Sequence, residues 1–432
     1  MTTFTPDASR ALGGPQWLAD RRLAAAERLA AVTWPTSSEE IWRYSRIDSF
    51  DPERFAPVPA DELGEPGVEP VRGGGLLAAE AGERAGLIVV RNGRVVHHEL
   101  DPALEAKGVH VCGLATCAAG EAEPYLGLAA DASPDAFTLL HDAFLAGGAF
   151  VNVPPGVVVD RPIVVLHWSH GEGRASFPHT LVVAGDDSEV AVVERTTSSG
   201  GTHLVDAVVE LIVGDGARLR YLSVQEHGPD TFQVALQRAH LGRNASLRSS
   251  AVALGGDYAR LRSEARLDGE GAEADQLAVY FGDGNQMHDF RTLQDHAAPS
   301  TRSTLLFKGA VEDSAHSVYS GMVHLRPEAR RAEAYQTNRN LVLSDGASAE
   351  SIPNLEIEAD DVRCSHASTV GTVDDDQRYY LATRGIPPEE ADRLIVLGFF
   401  DDVLSRLPVR SLAAPLRDAV TRKIEHRGHR HD

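Results

Sequence analysis

A small-residue corner that recurs through the middle of the chain constrains its fold more than any other feature. Gly214–Asp–Gly–Ala217, Gly242–Arg–Asn–Ala245 and Gly269–Glu–Gly–Ala272 each precede a short run of alternating residues. Their last residues lie 28 and 27 positions apart. Similar corners end at Ala315, Ala329, Ala347 and Val362, with separations of 14, 18 and 15. Upstream, Val157–Val159, Ile163–Leu166 and Thr180–Val183 are runs of β-formers. A short strand pair cannot bury its own apolar face, so successive pairs must stack, which predicts a mainly β solenoid over residues 151–375. A β-sandwich also spaces strands regularly. The low aromatic content, 6%, and the many small residues favour the narrow coil.

Helical pattern flanks this core. Leu18–Leu29 is a run of strong helix formers with Leu18, Leu23, Ala26 and Leu29 on one face. Ser37–Ser–Glu–Glu40 reads as a capping box opening a helix with Ile41, Trp42 and Tyr44. An irregular linker over 45–75 completes an N-terminal region, residues 1–75. A mixed region follows over 76–150, with a hairpin turning at Asn92–Gly93 and a helix over Ala136–Leu145. Residues 376–432 return to helix. Pro387 or Pro388 starts one helix with Ala391, Leu394, Ile395 and Phe399 along a stripe, and Leu412–Ile424 forms another. The tail His426–Arg–Gly–His–Arg–His431 reads as a frayed terminus.

Charge and cysteine usage narrow the function classes. A net charge of −22 repels nucleic acid and anionic membrane surfaces. No apolar run approaches the ~20 residues of a membrane span. Three cysteines in a chain of 432 residues argue against a disulfide framework and fit a reducing cytoplasm. Cys112 and Cys117, five apart, match no standard zinc pair and read as structural. The chain lacks the phosphate-cradling Gly-x-x-x-x-Gly-Lys-Ser/Thr loop, so any ATP chemistry must come from another subunit.

Cys364 and His366 are the most pointed residues. On a strand, positions i and i+2 share a face, so a thiol and an imidazole project together. That is half of a soft metal site, and no second cysteine lies nearby in sequence. The bland alternative is a buried, space-filling cysteine. His288, His296 and His316 lack fixed ligand spacing and read as hydrogen-bonded histidines.

Several blocks together resemble the SufB/SufD family of iron–sulfur cluster assembly scaffolds, and SufD more closely. They are Trp17 with Arg21–Arg22, Pro35, Glu40 and Trp42–Arg–Tyr44. In the core they are His288 to His296, Ser300–Thr–Arg–Ser303 and Phe307–Lys–Gly309. The strongest are Tyr335–Gln–Thr–Asn–Arg–Asn–Leu341 and Pro353 through His366, and Arg384–Gly–Ile386 completes the set. The resemblance implies a right-handed parallel β-helix with helical ends and no stand-alone catalysis. It also implies a cytoplasmic complex with a SufB-like subunit and a SufC-like ATPase, or a homodimer in isolation. A transient iron–sulfur cluster or iron would then be shared at the SufB–SufD interface, with His366 first and Cys364 second as this chain's donors. Pro387, Leu394, Phe399, Phe400 and Leu404 fall in the implied ATPase dock. Leu381 stands where SufB-like chains carry a cysteine, and Cys364–Ser–His366 replaces a glutamate-flanked histidine; both favour SufD. Asp402 reads as a surface acid on a packing helix. The rival classes are a SufB-like paralogue, a β-helix carbohydrate-active enzyme, and a zinc protein using Cys364, His366 and the tail histidines.

Overall fold

The computed structural model describes residues 3–59, 84–117, 120–128, 135–199 and 201–425. The tail histidines and residues 60–75 of the expected linker lie outside them.

Parallel strands stack into two facing sheets of 11 and 10 strands, and the chain alternates between them. One sheet holds His203–Val213, Thr231–Leu241, Tyr258–Leu267, Met287–His296, His316–Leu325 and Ser348–Ile357. The other holds Glu189–Ser199, Arg218–Glu226, Ser246–Ala253, Glu273–Gly282, Arg302–Val311, Glu333–Val342 and Arg363–Gly371. The result is a parallel β-helix with helical elements at both ends of the chain.

The corners close because of backbone conformation. Asp187, Gly216, Asn244 and Gly271 occupy equivalent turn positions, all at positive φ (56°, 68°, 54° and 75°). Glycine, asparagine and aspartate are the residues that reach this region at least cost. Ser300 and Arg331 continue the series at φ 59° and 60°. Corner acids also tie one coil to the next: Asp186 accepts from the Asp215 N–H at 2.9 Å, and Asp215 from the Arg243 N–H at 2.7 Å. The intervals of 28 and 27 in sequence are therefore whole coils. The shorter intervals from Ala315 onward are half coils, because those corners alternate between the two sheets.

Stacking in register makes the interior a set of side-chain columns. One runs Leu219, Leu247, Ala274, Ser303, Ala334 and Cys364. The next runs Tyr221, Ser249, Gln276, Leu305, Gln336 and His366. Val, Leu and Ala line one side of the interior, and this lining persists to Leu325 and Ala334. A polar network runs along the other: Gln237 Nε2 donates to Ser249 Oγ at 2.8 Å, Tyr280 Oη to Asn340 Oδ1 at 2.6 Å, and Gln336 Nε2 to Tyr319 Oη at 2.6 Å.

Both outer faces are covered. Phe4, Trp42, Phe55 and the helix Ala136–Phe144 pack on the first sheet. There Arg260 lies 3.9 Å from the Trp42 ring centre and donates to Ile41 O, while Asp289 holds both Arg260 and Arg291. The helices Pro388–Leu404 and Ala413–Glu425 pack on the second sheet. Lys308 anchors the former, donating to Phe399 O at 2.9 Å and pairing with Asp402 at 2.8 Å.

Three local expectations are corrected. No capping box forms at Ser37. Its side chain bonds Asp48, and short 3-10 turns, the first Glu40–Trp42, stand in place of the expected helix. In the helix Pro388–Leu404 the inward face is Ala391, Val396, Phe400, Val403 and Leu404, not the Leu394–Ile395–Phe399 stripe. This helix is apolar on two sides, so its period alone cannot choose the face. Cys112 and Cys117 are joined in a disulfide, which the low cysteine count argued against. The tight turn at Gly113 brings them together.

Two predictions follow from this packing. A Cβ on Gly309 would fall 1.9 Å from the Tyr280 ring, whereas one on Gly371 meets nothing within 4 Å. Gly309→Ala should cost about 1–3 kcal/mol in denaturant unfolding and Gly371→Ala less than about 0.5 kcal/mol. Burial also depresses His227 and His288 to about 3 and His296 to about 4. The unfolded chain then binds more protons than the folded one below pH ~6.5. Stability is full above that pH and falls as pH drops toward 4, by about 1.4 kcal/mol per pH unit for each ring. His288→Gln should remove one such increment from the slope in a pH series of unfolding midpoints.

Candidate functional site

The two last strands, Ser348–Ile357 and Arg363–Gly371, end their sheets, and no further described strand pairs with either. Arg363 N–H donates back to Ala332 O at 2.9 Å. Alternation then turns the backbone N–H groups of Cys364, His366, Ser368 and Val370 outward, away from the stack. Such an edge is a template for pairing with another chain.

Cys364 and His366 stand on this lip. Cys364 is half-buried and packs with Val323, Ala334 and Leu355, so its side chain faces the interior of the coil. His366, two positions on, shares that face above buried Gln336 and is exposed because no coil covers it. Burial pushes the Cys364 thiol up, so it holds its proton at neutral pH. A cation bound there must displace that proton. A thiol and an imidazole are two donors of a four-donor soft site, and the remaining donors must come from outside the pair.

Sequence reasoning did not find the polar row beside them. Ser368 Oγ donates to Ser351 Oγ across the coil at 2.7 Å, and Ser351 Oγ donates to Asn338 Oδ1 at 2.7 Å. Asn338 Nδ2 then donates to Tyr280 Oη at 3.1 Å. Hydrogen bonds thus run from the lip into the interior. No local signal marks these residues, because the register of distant coils brings them together. A further donor group, His324 with Glu356 and Glu358, lies at the same end, with ligand atoms within 4.8 Å of one another. His324 Nε2 is 3.1 Å from Glu358 Oε2.

The other sequence-singled histidines are tied into the framework. His288 and His296 are buried, with His296 bonded to Thr301 and Ser303. His316 Nδ1 lies 2.6 Å from Ser348 Oγ. On the helical face, Phe400 and Leu404 are buried against the second sheet and offer no free surface. Pro387 and Leu394 are exposed and Phe399 is half-buried. Tyr379 and Tyr380, 73% and 56% exposed, lie on the neighbouring helix Asp375–Ala382. A groove between the helices Asp375–Ala382 and Pro388–Leu404, lined by Leu341, Tyr380, Leu381, Leu394 and Phe399, opens there. No helix among the described residues is long and apolar enough to cross a membrane.

Comparison with known proteins places this geometry. Residues 167–399 match the SufBD core domain of the SUF system for FeS cluster assembly, and residues 84–165 match the SufBD N-terminal region. The iron–sulfur cluster assembly protein SufD of Bacillus subtilis is 30% identical over 95% of both chains. An iron–sulfur cluster assembly SufBD family protein of Mycobacterium bovis is 38% identical over 64% of this chain and 70% of its own length. A SufBD family protein of Staphylococcus epidermidis is 28% identical over 91% of this chain and 87% of its own length. A matched core that spans more than half of the residues, and a relative aligned from end to end, carry one conclusion: this chain belongs to the SufBD family of iron–sulfur cluster assembly proteins.

Proposed function

We propose that the chain is a non-catalytic, SufD-like scaffold subunit, and that its open lip docks a SufB-like subunit. The observation that carries this reading is the pair of unpaired parallel edges with Cys364 and His366 on their inward face. A partner built of similar coils can continue the sheets with backbone hydrogen bonds, which give affinity without demanding a particular side-chain sequence. Donors from that partner would complete the half-site, so a nascent cluster or iron is held only in the complex. The raised thiol pKa of Cys364 suits a transient holder, since metal leaves when the proton returns.

The groove lined by Tyr380, Leu394 and Phe399, with the exposed Pro387 on the same helical region, is the proposed dock for a SufC-like ATPase. Phe400 and Leu404 contribute by fixing that helix to the second sheet. Force applied to the helix reaches the coil through Lys308, whose strand is two coils from the lip. ATP hydrolysis on the partner could thereby strain or relax the interface.

Co-expression with a SufB-like chain and a SufC-like ATPase separates these roles. The wild-type chain should elute as a three-component complex. Val370→Pro removes an outward N–H and should weaken the SufB-like contact about 10-fold. Leu394→Glu should lose the ATPase alone. His366→Ala should keep the complex and lower the iron and sulfide it retains. A wild-type chain that elutes alone, or a His366→Ala complex with full cluster content, contradicts the reading.

A further inference from the structure

His110 and Cys112 share one face of the strand His110–Gly113, which pairs with Ala149–Val153 at the end of the first sheet opposite the lip. Gly113 O accepts from the N–H groups of Thr116 and Cys117 at 2.9 and 2.8 Å, and this turn carries Cys117 back to Cys112. Glu121 is placed by its neighbour Ala122, which is buried with Leu18, Leu126 and Phe150. Farther along, Gly127 N–H donates to buried Glu210 at 2.8 Å and fastens the segment. Donor atoms of Cys112, Cys117 and Glu121 all lie within 4.8 Å of one another. Glu121 Oε2 lies 3.1 Å from His110 Nδ1.

We propose that, once the disulfide is reduced, Cys112, Cys117 and Glu121 bind a borderline divalent cation, zinc in particular, and that the His110 ring, which lies outside this three-donor group, turns in from its contact with Glu121 to complete a tetrahedral site. Two thiolates, an imidazole and a carboxylate match that ion's preference for sulfur and nitrogen donors in four-coordination. Nitrogen and oxygen ligands about 2.0 Å from one zinc stand about 3.3 Å apart in a tetrahedron, close to the His110–Glu121 separation. All four side chains are half-buried, so solvent ions reach them. The sequence hides the site because it is split, His-x-Cys on a strand and Cys-x-x-x-Glu beyond a turn, rather than paired cysteines at either end.

The site has two exclusive states. A phosphine reductant supplies two electrons to the sulfur–sulfur bond and takes oxygen from water to become the phosphine oxide, leaving two thiols. Zinc then displaces one proton from each thiol and binds both sulfurs. An oxidant such as peroxide reverses this by re-forming the disulfide, releasing the ion and yielding water. In both states the turn stays clipped to the strand, so the exchange changes the occupant and keeps the local fold. The site is independent of the scaffold reading and of Cys364.

The test is zinc titration of the full chain against a chromogenic chelator, before and after phosphine reduction and removal of the phosphine. The reduced chain should take one tight equivalent and the oxidised chain none. Cys112→Ser with Cys117→Ser should abolish it, and Glu121→Gln should weaken it on the order of 10–100-fold. Cys364→Ser and deletion of 426–432 should leave it intact. Cobalt in place of zinc should give thiolate charge-transfer bands and the strong visible bands of a tetrahedral ion. Glu121→Gln changes a partly exposed side chain and keeps the test valid if the double serine variant misfolds. Equal zinc uptake by oxidised and reduced chains, no tight equivalent after reduction, or affinity unaffected by Glu121→Gln would overturn the proposal.

Discussion

Backbone pairing between successive coils governs this molecule. Each strand satisfies its N–H and C=O groups only through the strands of the coils before and after it. Interior side chains stack in columns because that pairing is in register, and the columns confine each residue to what its neighbours above and below permit. The same rule makes the two ends the difficult places. At the N-terminal end antiparallel strands, Arg94–Leu100 and His110–Gly113, close the two sheets. At the other end nothing described closes them. A coil that has run out of coils leaves a row of backbone groups facing outward from its last strands.

The interior is apolar along one side and polar along the other. Gln237, Ser249 and Ser263 begin the hydrogen-bonded side, and Tyr280, Tyr319, Gln336, Asn338 and Asn340 continue it toward the open end. Buried polar side chains are costly unless paired, and this network pairs many of them. It places Gln336 beneath His366 and Asn338 beneath Ser368, whereas Cys364 stands above Ala334 among apolar neighbours.

Much of this was legible in the chain itself. The corners announced a stacked architecture because the turn demands a positive φ that few residue types accept. Their shorter downstream spacing was harder to read, since corners of two kinds alternate there. Cys364 and His366 could be placed on one face by alternation alone. The Ser351–Asn338 row could not, because its members meet only through coil register. The disulfide and the His110–Glu121 contact escaped for a similar reason: turns, not spacing, create them. The resemblance puts Phe400 and Leu404 in a docking surface, yet the helix is apolar on two sides, and only its packed partner shows which side is left free.

Hydrogen exchange resolved to single amides addresses the central claim, that the lip is an unfinished sheet awaiting a partner. In the isolated chain the amides of Cys364, His366, Ser368 and Val370 should exchange quickly while those of Arg363, Ser365 and Ala367 are protected. A SufB-like partner should protect the first group and leave the second unchanged. Equal protection of both groups in the isolated chain, or no change at the first group in a verified complex, would contradict the account.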